Sequence, residues 1–130
     1  MSSVELGPRT RSACVVVGAT PEEVAAAGAH GGMRLRANAL GTLATGSLGP
    51  VAIDYAAALP GPVYDILYSE RTGWFAVTVF RGEDQPRRWD NRPGTDAGYP
   101  RIDDILGAAT PTAILAALDV PPDAIGYATA

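Results

Sequence analysis

The chain has 130 residues, of which 47% are hydrophobic and 18% charged, and its formal net charge at pH 7 is −4. This length suits one domain with a buried core, and the acidic balance argues against general binding to nucleic acid. All ten basic residues are Arg, and there is one His and one Cys. The chain therefore lacks the Lys of a P-loop or a pyridoxal-phosphate site and the ligands of a Cys/His zinc site, and we predict neither cofactor nor metal.

The distribution of apolar residues bears on localisation. No apolar run reaches the ~18 residues of a membrane span, and the single Cys14 cannot form an internal disulfide. The apolar stretch 13–19 is at the lower limit of a signal-peptide core and runs into a helix start. We therefore predict a cytoplasmic protein without membrane contact. An Arg-rich, Lys-free composition is typical of high-GC bacteria and their phages.

In chain order, residues 1–11 are predicted to be a flexible tail, and residues 12–130 a single α+β domain. The β-branched run 13–18 predicts a strand. A capping box formed by Thr20 and Glu23, with Pro in the first turn, predicts a short helix directly after it.

The middle of the chain is rich in strand signals. Residues 33–40 alternate polar and apolar side chains, which indicates a half-buried strand. The Gly-rich segment 41–50 is compatible with a loop, a hairpin or a strand that leads into 51–55. Residues 63–81 predict a central β-hairpin that turns at Gly73, because two β-rich runs flank a turn sequence.

The last third begins with charged residues and ends with helical patterns. Residues 82–100 contain few aliphatic side chains and are predicted to be a long Arg/Trp loop. Apolar spacing predicts short helices over 102–106 and 110–118, the second capped by Thr110 and Pro111, and residues 123–127 indicate a last helical turn. The predicted fold class is therefore α+β: a mainly antiparallel sheet of four to five strands, one short N-terminal helix, and short C-terminal helices packed on one face.

One candidate binding site lies in the predicted loop and consists of Arg87, Arg88, Trp89 and Arg92. Arg and Trp dominate binding hot spots, and a guanidinium group binds a carboxylate or phosphate through two hydrogen bonds. An exposed Trp89 would anchor a protein partner or an anionic ligand. In the other interpretation Trp89 folds onto the core, and the Arg side chains pair with neighbouring carboxylates.

A second candidate site combines the aromatic residues of the hairpin with acid/base groups. An apolar pocket containing one carboxylate is typical of small enzymes that work without a cofactor. His30, whose pKa lies near neutrality, would be a candidate base. Hairpin aromatics can equally fill the core. The members of this group are Tyr64, Asp65, Tyr68, Trp74 and His30.

The poor catalytic inventory favours a small non-enzymatic binding or accessory protein that acts through protein–protein contacts, of the immunity, antitoxin or assembly-subunit type. No residue is assigned a catalytic role. One alternative is a small cofactor-free enzyme or carrier, of the cyclase or isomerase kind, with the aromatic pocket. Another is a structural subunit of a larger particle. The expected partner is another protein or a second copy of the chain, and a small-molecule ligand is compatible with the pocket.

Overall fold

The computed structural model describes residues 10–27, 34–46, 51–82, 84–92 and 98–127. Within these residues the chain forms six β-strands, three α-helices and one 3₁₀ helix. The strands are β1 (Thr10–Val17), β2 (Arg34–Ala37), β3 (Gly41–Thr45), β4 (Val63–Ser69), β5 (Phe75–Phe80) and β6 (Arg87–Asp90). The helices are α1 (Pro21–Ala27), α2 (Val51–Ala58), α3 (Pro111–Ala117) and the 3₁₀ helix Pro122–Ile125.

The six strands form one antiparallel sheet in the order β2-β3-β1-β4-β5-β6. The predicted α+β class is confirmed, with one strand more than the four to five expected. Strand β6 lies inside residues 82–100, so the prediction of a continuous long loop there is wrong. A strand of four residues is too short to show a clear period in the sequence, and its pairing with β5 is a tertiary interaction.

Strand β1 lies at the centre of the sheet between β3 and β4. It begins at Thr10, inside the segment predicted as a tail, while residues 1–9 of that predicted tail lie outside the described residues. The apolar run from Ala13 to Val16 is buried on both faces, as its β-branched composition predicts.

The central hairpin is confirmed: β4 and β5 pair antiparallel, with Tyr68 opposite Phe75 next to the turn. The backbone N–H of Ser69 donates to Trp74 O at 2.9 Å, and Gly73 N donates to Ser69 O at 2.8 Å. Gly73 has a φ of 76°, which glycine adopts at little cost because it has no Cβ. Turn chemistry visible in the sequence therefore locates this hairpin.

Both predicted helix caps are present. The backbone N–H of Thr20 donates to Glu23 Oε1 at 2.8 Å, and Glu23 N donates to Thr20 Oγ1 at 3.1 Å, which completes the capping box of α1. At α3, Thr110 Oγ1 accepts from Ala113 N at 3.3 Å. These signals are confined to four consecutive residues, so the sequence alone shows them.

Residues 51–55, where a strand was an open alternative, belong instead to α2. Ala52, Tyr55 and Ala56 are buried against the sheet, and their spacing of three and four residues is helical. Ile53 stays exposed on the opposite side of the helix. The β-branched residues in this segment favour a strand locally, but burial of one helical face outweighs that preference.

The helix expected over 102–106 is also not found. Ile105 and Ala108 instead pair across a tight turn, with backbone hydrogen bonds of 2.8 and 2.9 Å. Leu106 and Gly107 within the turn have φ values of 55° and 83°, which are incompatible with a right-handed helix. Ile105 nevertheless joins the core, so the apolar pattern predicted burial correctly and the backbone conformation wrongly.

Strand alternation divides the core between two faces of the sheet. The apolar face carries Val15, Ile66, Phe75, Val77 and Trp89. Helix α3 and the 3₁₀ helix pack against it, so the C-terminal helices lie on one face as expected.

The opposite face, called the mixed face below, carries Cys14, Val16, Asp65, Thr78 and Arg88. Helices α1 and α2 pack on its apolar part, α1 against β2 and β3 and α2 against β4 and β5. Its polar part extends over β4, β5 and β6.

Candidate functional site

Trp89, the predicted anchor, is a core residue. Its side chain is 5% exposed and lies on the apolar face, where its ring meets Phe75 edge to face at a centroid distance of 6.1 Å. Of the two interpretations of Trp89 drawn from the sequence, the structure has the one in which the side chain folds onto the core. A ring buried in this way contributes to stability rather than to surface recognition.

Arg88 points to the mixed face, because successive side chains of a strand alternate. It is 7% exposed, and its Nε donates to Thr78 Oγ1 at 2.8 Å. Its guanidinium carbon lies 4.5 Å from the ring centroid of Tyr99 and 5.8 Å from that of Trp74, within the range of cation–π contact. Arg88 is thus enclosed, which sequence reasoning did not anticipate.

Arg87 and Arg92 are exposed at the two ends of β6. Arg92 donates from its backbone N to Asp90 Oδ1 at 2.5 Å and from Nη2 to Thr72 O, so it connects the end of β6 to the hairpin turn. Arg87 lines an open groove at the other end. The four residues of the first candidate site therefore occupy different environments rather than one surface.

The second candidate group is divided as well. Tyr64 and Tyr68 lie on the apolar face, and Tyr68 packs edge to face on Tyr127 at 5.0 Å between ring centroids. Asp65 lies on the mixed face, where Trp74 approaches Arg88. His30, the candidate base, lies outside the described residues. The aromatic pocket is therefore not assembled from the described hairpin residues as predicted.

The groove beside Arg87 has a volume of about 330 Å³ and opens to solvent. Its floor consists of Val79, Ile102 and Ile105, which are continuous with the core of the apolar face. Leu106 stands at its edge with 53% of its side chain exposed. This site, called the Arg87 groove below, exposes apolar surface that the fold itself does not cover.

Charged side chains of both signs form the rim of the Arg87 groove: Arg81 and Arg87, with Asp84 and Asp104. Arg87 is opposite Val79 in the sheet, and strand alternation places Arg81 on the same side as Val79. Within the described part of the chain, no hydrogen bond or ion pair engages the guanidinium of Arg87. The rim therefore offers donors to an incoming carboxylate.

Tyr64 lines the same groove from β4. Burial, the larger effect, raises the pKa of its phenol, while the positive charge of Arg81 opposes this increase. The phenol therefore stays protonated at neutral pH and provides a hydrogen-bonding group at the base of the groove.

A polar row crosses the mixed face: Asp65 is opposite Thr78, and Thr78 is opposite Arg88. Burial raises the pKa of Asp65 to about 7, and the charge of Arg88 opposes this effect. On its other side Asp65 is opposite Cys14, whose pKa burial and then the Asp65 charge raise to about 12, so the thiol stays protonated. The row joins Arg88 of the first candidate group to Asp65 of the second.

Trp74 is fixed beside this row by Asp90, which is completely buried. The indole Nε1 donates to Asp90 Oδ2 at 2.8 Å, and Arg101 Nη2 donates to Asp90 O at 2.6 Å. Sequence reasoning missed Thr78, Tyr99 and Asp90 as parts of this cluster. Their positions depend on the register between strands, for which the sequence carries no local signal.

The described residues contain no group of three or more His, Cys, Asp or Glu side chains that could hold a metal ion. In the same residues, no helix has the length and apolar character that crossing a membrane requires. Comparison of the chain with family models, curated proteins and solved structures finds no match.

Proposed function

We propose that this protein is a non-enzymatic binding protein and that the Arg87 groove receives a short segment of a protein partner. The segment carries an apolar side chain next to a carboxylate. One observation supports this most directly: exposed Leu106 and the apolar floor lie directly beside the guanidinium groups of Arg81 and Arg87.

The apolar part of the groove would bury the apolar side chain of the partner segment. A cavity of about 330 Å³ is at the lower end of the range for ligand sites, which suits one large side chain and its flanking backbone. Leu106 would lose its exposed area when such a side chain binds. Apolar area removed from water contributes about 25 cal/mol per Å², so this contact supplies affinity.

The charged rim accounts for selectivity. A carboxylate of the partner accepts hydrogen bonds from Arg87 or Arg81, and charge-assisted bonds of this kind are about twice as strong as neutral ones. Asp84 and Asp104 on the same rim repel a segment with further acidic residues. The favoured segment is therefore apolar with a single carboxylate.

The alternative of a cofactor-free enzyme has less support. Tyr64 and Tyr68 lie on the opposite face of the sheet from Asp65 and Trp74, so these four side chains do not line one pocket. The Arg87 groove does not depend on that arrangement.

The proposal is tested by selecting binders from a random peptide library displayed on phage, with the purified protein as bait. We expect enriched peptides to share an apolar residue adjacent to Asp, Glu or the C-terminal carboxylate. Arg87→Ala should weaken the best peptide about tenfold or more, as loss of a charge-assisted contact does.

Arg71→Ala is the matched control, since Arg71 is an exposed Arg of the hairpin turn, away from the groove. It should bind the peptide as the wild type does. Selection without a common motif, or equal binding by the wild type and Arg87→Ala, would overturn the proposal. Self-association that Arg87→Ala abolishes would identify the partner as a second copy of the chain.

A further inference from the structure

We propose that the polar row of the mixed face is a second binding site, in which Arg88 and Asp65 hold a small zwitterion of the α-amino-acid type. The carboxylate of the ligand pairs with Arg88, its ammonium group with Asp65, and Trp74 and Tyr99 flank the site. This site lies on the opposite face of the sheet from the Arg87 groove and does not depend on the function proposed for that groove.

Arg88 provides the anion-binding half. Its side chain is more than nine-tenths buried, yet only Nε has a protein acceptor among the described residues, Thr78 Oγ1 at 2.8 Å. A guanidinium group has four further N–H donors at its two Nη atoms. Buried donors without acceptors are costly, and a carboxylate with two oxygens matches the Nη geometry.

Two aromatic rings orient the guanidinium group for this role. Tyr99 packs at 4.5 Å and Trp74 at 5.8 Å from ring centroid to Cζ. Trp74 is held in place by its hydrogen bond to the buried Asp90. Both rings are partly exposed, so the residues beside Arg88 still contact solvent.

Asp65 provides the cation-binding half. Most of its side chain is buried, and within the described residues its carboxylate makes neither a hydrogen bond nor an ion pair. Its neighbours across the strands are the protonated thiol of Cys14 and the hydroxyl-bearing Thr78, which carry no charge. A buried carboxylate of this kind is stabilised by a cation that brings its own hydrogen bonds.

The spacing between the two halves favours a zwitterion over a simple anion. Asp65 and Arg88 are separated by one strand, so their Cα atoms lie about 10 Å apart. The two side chains influence each other electrostatically without forming an ion pair. A simple anion at Arg88 would face the Asp65 carboxylate, whereas a ligand with adjacent charges of opposite sign neutralises both.

The test uses the two Trp residues as probes, since each indole N–H gives its own NMR signal. Trp74 reports on the site, and Trp89 on the opposite face is the internal control. Three mixtures are added at millimolar concentration: the twenty amino acids, their N-acetylated forms without an ammonium group, and their amides without a carboxylate. We expect the free amino acids to shift Trp74 and leave Trp89 unchanged, and the two modified mixtures to have at least about tenfold weaker effects.

Asp65→Asn removes the charge and keeps the shape of the side chain. We expect it to fold and to lose at least about tenfold in affinity for the amino acids. Asp103→Asn, which changes an exposed carboxylate, is the matched control and should bind normally. The proposal is overturned if the amino acids do not shift Trp74, if the N-acetylated forms bind equally well, or if Asp65→Asn keeps wild-type affinity.

Discussion

The two faces of the sheet are formed by the same strands and differ in the contacts that their buried side chains make. On the apolar face, Phe75, Val77 and Trp89 pack in one apolar cluster with residues of α3 and the 3₁₀ helix. On the mixed face, Arg88 is buried and Asp65 half-buried, and the described residues leave part of the hydrogen-bonding capacity of both side chains unused. The first face therefore supports the fold, whereas the second carries charged groups that we expect to reduce stability.

The largest effect is expected for Trp89→Ala on the apolar face. Truncating a buried Trp removes transfer free energy and leaves a cavity, so the free energy of unfolding should fall by about 3–5 kcal/mol. Urea denaturation followed by circular dichroism measures this. Arg87→Ala, on the same strand and exposed, should change stability by less than about 0.5 kcal/mol. A loss below about 1 kcal/mol for Trp89→Ala would contradict its place in the core.

A substitution on the mixed face should act in the opposite direction. Asp65→Asn removes a half-buried charge for which the described residues provide neither a hydrogen bond nor an ion pair, and burial disfavours the charged form of a carboxyl group. We therefore expect the variant to be more stable than the wild type by at least about 1 kcal/mol above pH 7. Thermal unfolding at pH 8 measures the change. Destabilisation of the variant would show that the folded protein stabilises the charged carboxylate of Asp65, contrary to this prediction.

The same residue predicts how stability depends on pH. The pKa of Asp65 is about 7 in the folded protein, against 3.8 as its ordinary value. Between these values the folded protein binds the proton and the unfolded chain does not, so the contribution of Asp65 to stability falls as pH rises from about 4 to about 7. The difference in unfolding free energy between Asp65→Asn and the wild type should grow over this window and then stay constant. A difference independent of pH would contradict the raised pKa.

A smaller effect is expected where α1 covers the mixed face. Thr20→Ala removes the hydroxyl that accepts from Glu23 N, and loss of an N-cap costs about 1 kcal/mol. Urea titration measures this, and Thr112→Ala, an exposed Thr inside α3, serves as a comparison without a capping role. Equal effects of the two substitutions would show that the cap does not stabilise α1.

Part of the candidate site could be predicted from the sequence. The sequence predicts Arg87 as a binding residue, and Arg87 lines the groove; it also groups Asp65 with Trp74, and both lie on the mixed face. Arg88 was named with Trp89, but strand alternation sends these neighbours to opposite faces. The sequence predicts a loop for these residues, and side chains of a loop do not alternate between two faces.

The sequence by itself determined those elements whose signals lie within a few consecutive residues. The capping box of α1, the cap of α3 and the turn at Gly73 are examples, because their hydrogen bonds and backbone angles involve near neighbours. The apolar spacing also marked Ile105 as buried, although not as part of a turn.

Only the tertiary structure decided that residues 51–58 form a helix, that β6 pairs with β5, and that Asp65, Thr78 and Arg88 form one row. Each of these outcomes depends on strand register or on the burial of one face against a distant segment. Such interactions join residues far apart in the chain, so local propensity does not encode them and packing of the whole domain selects them.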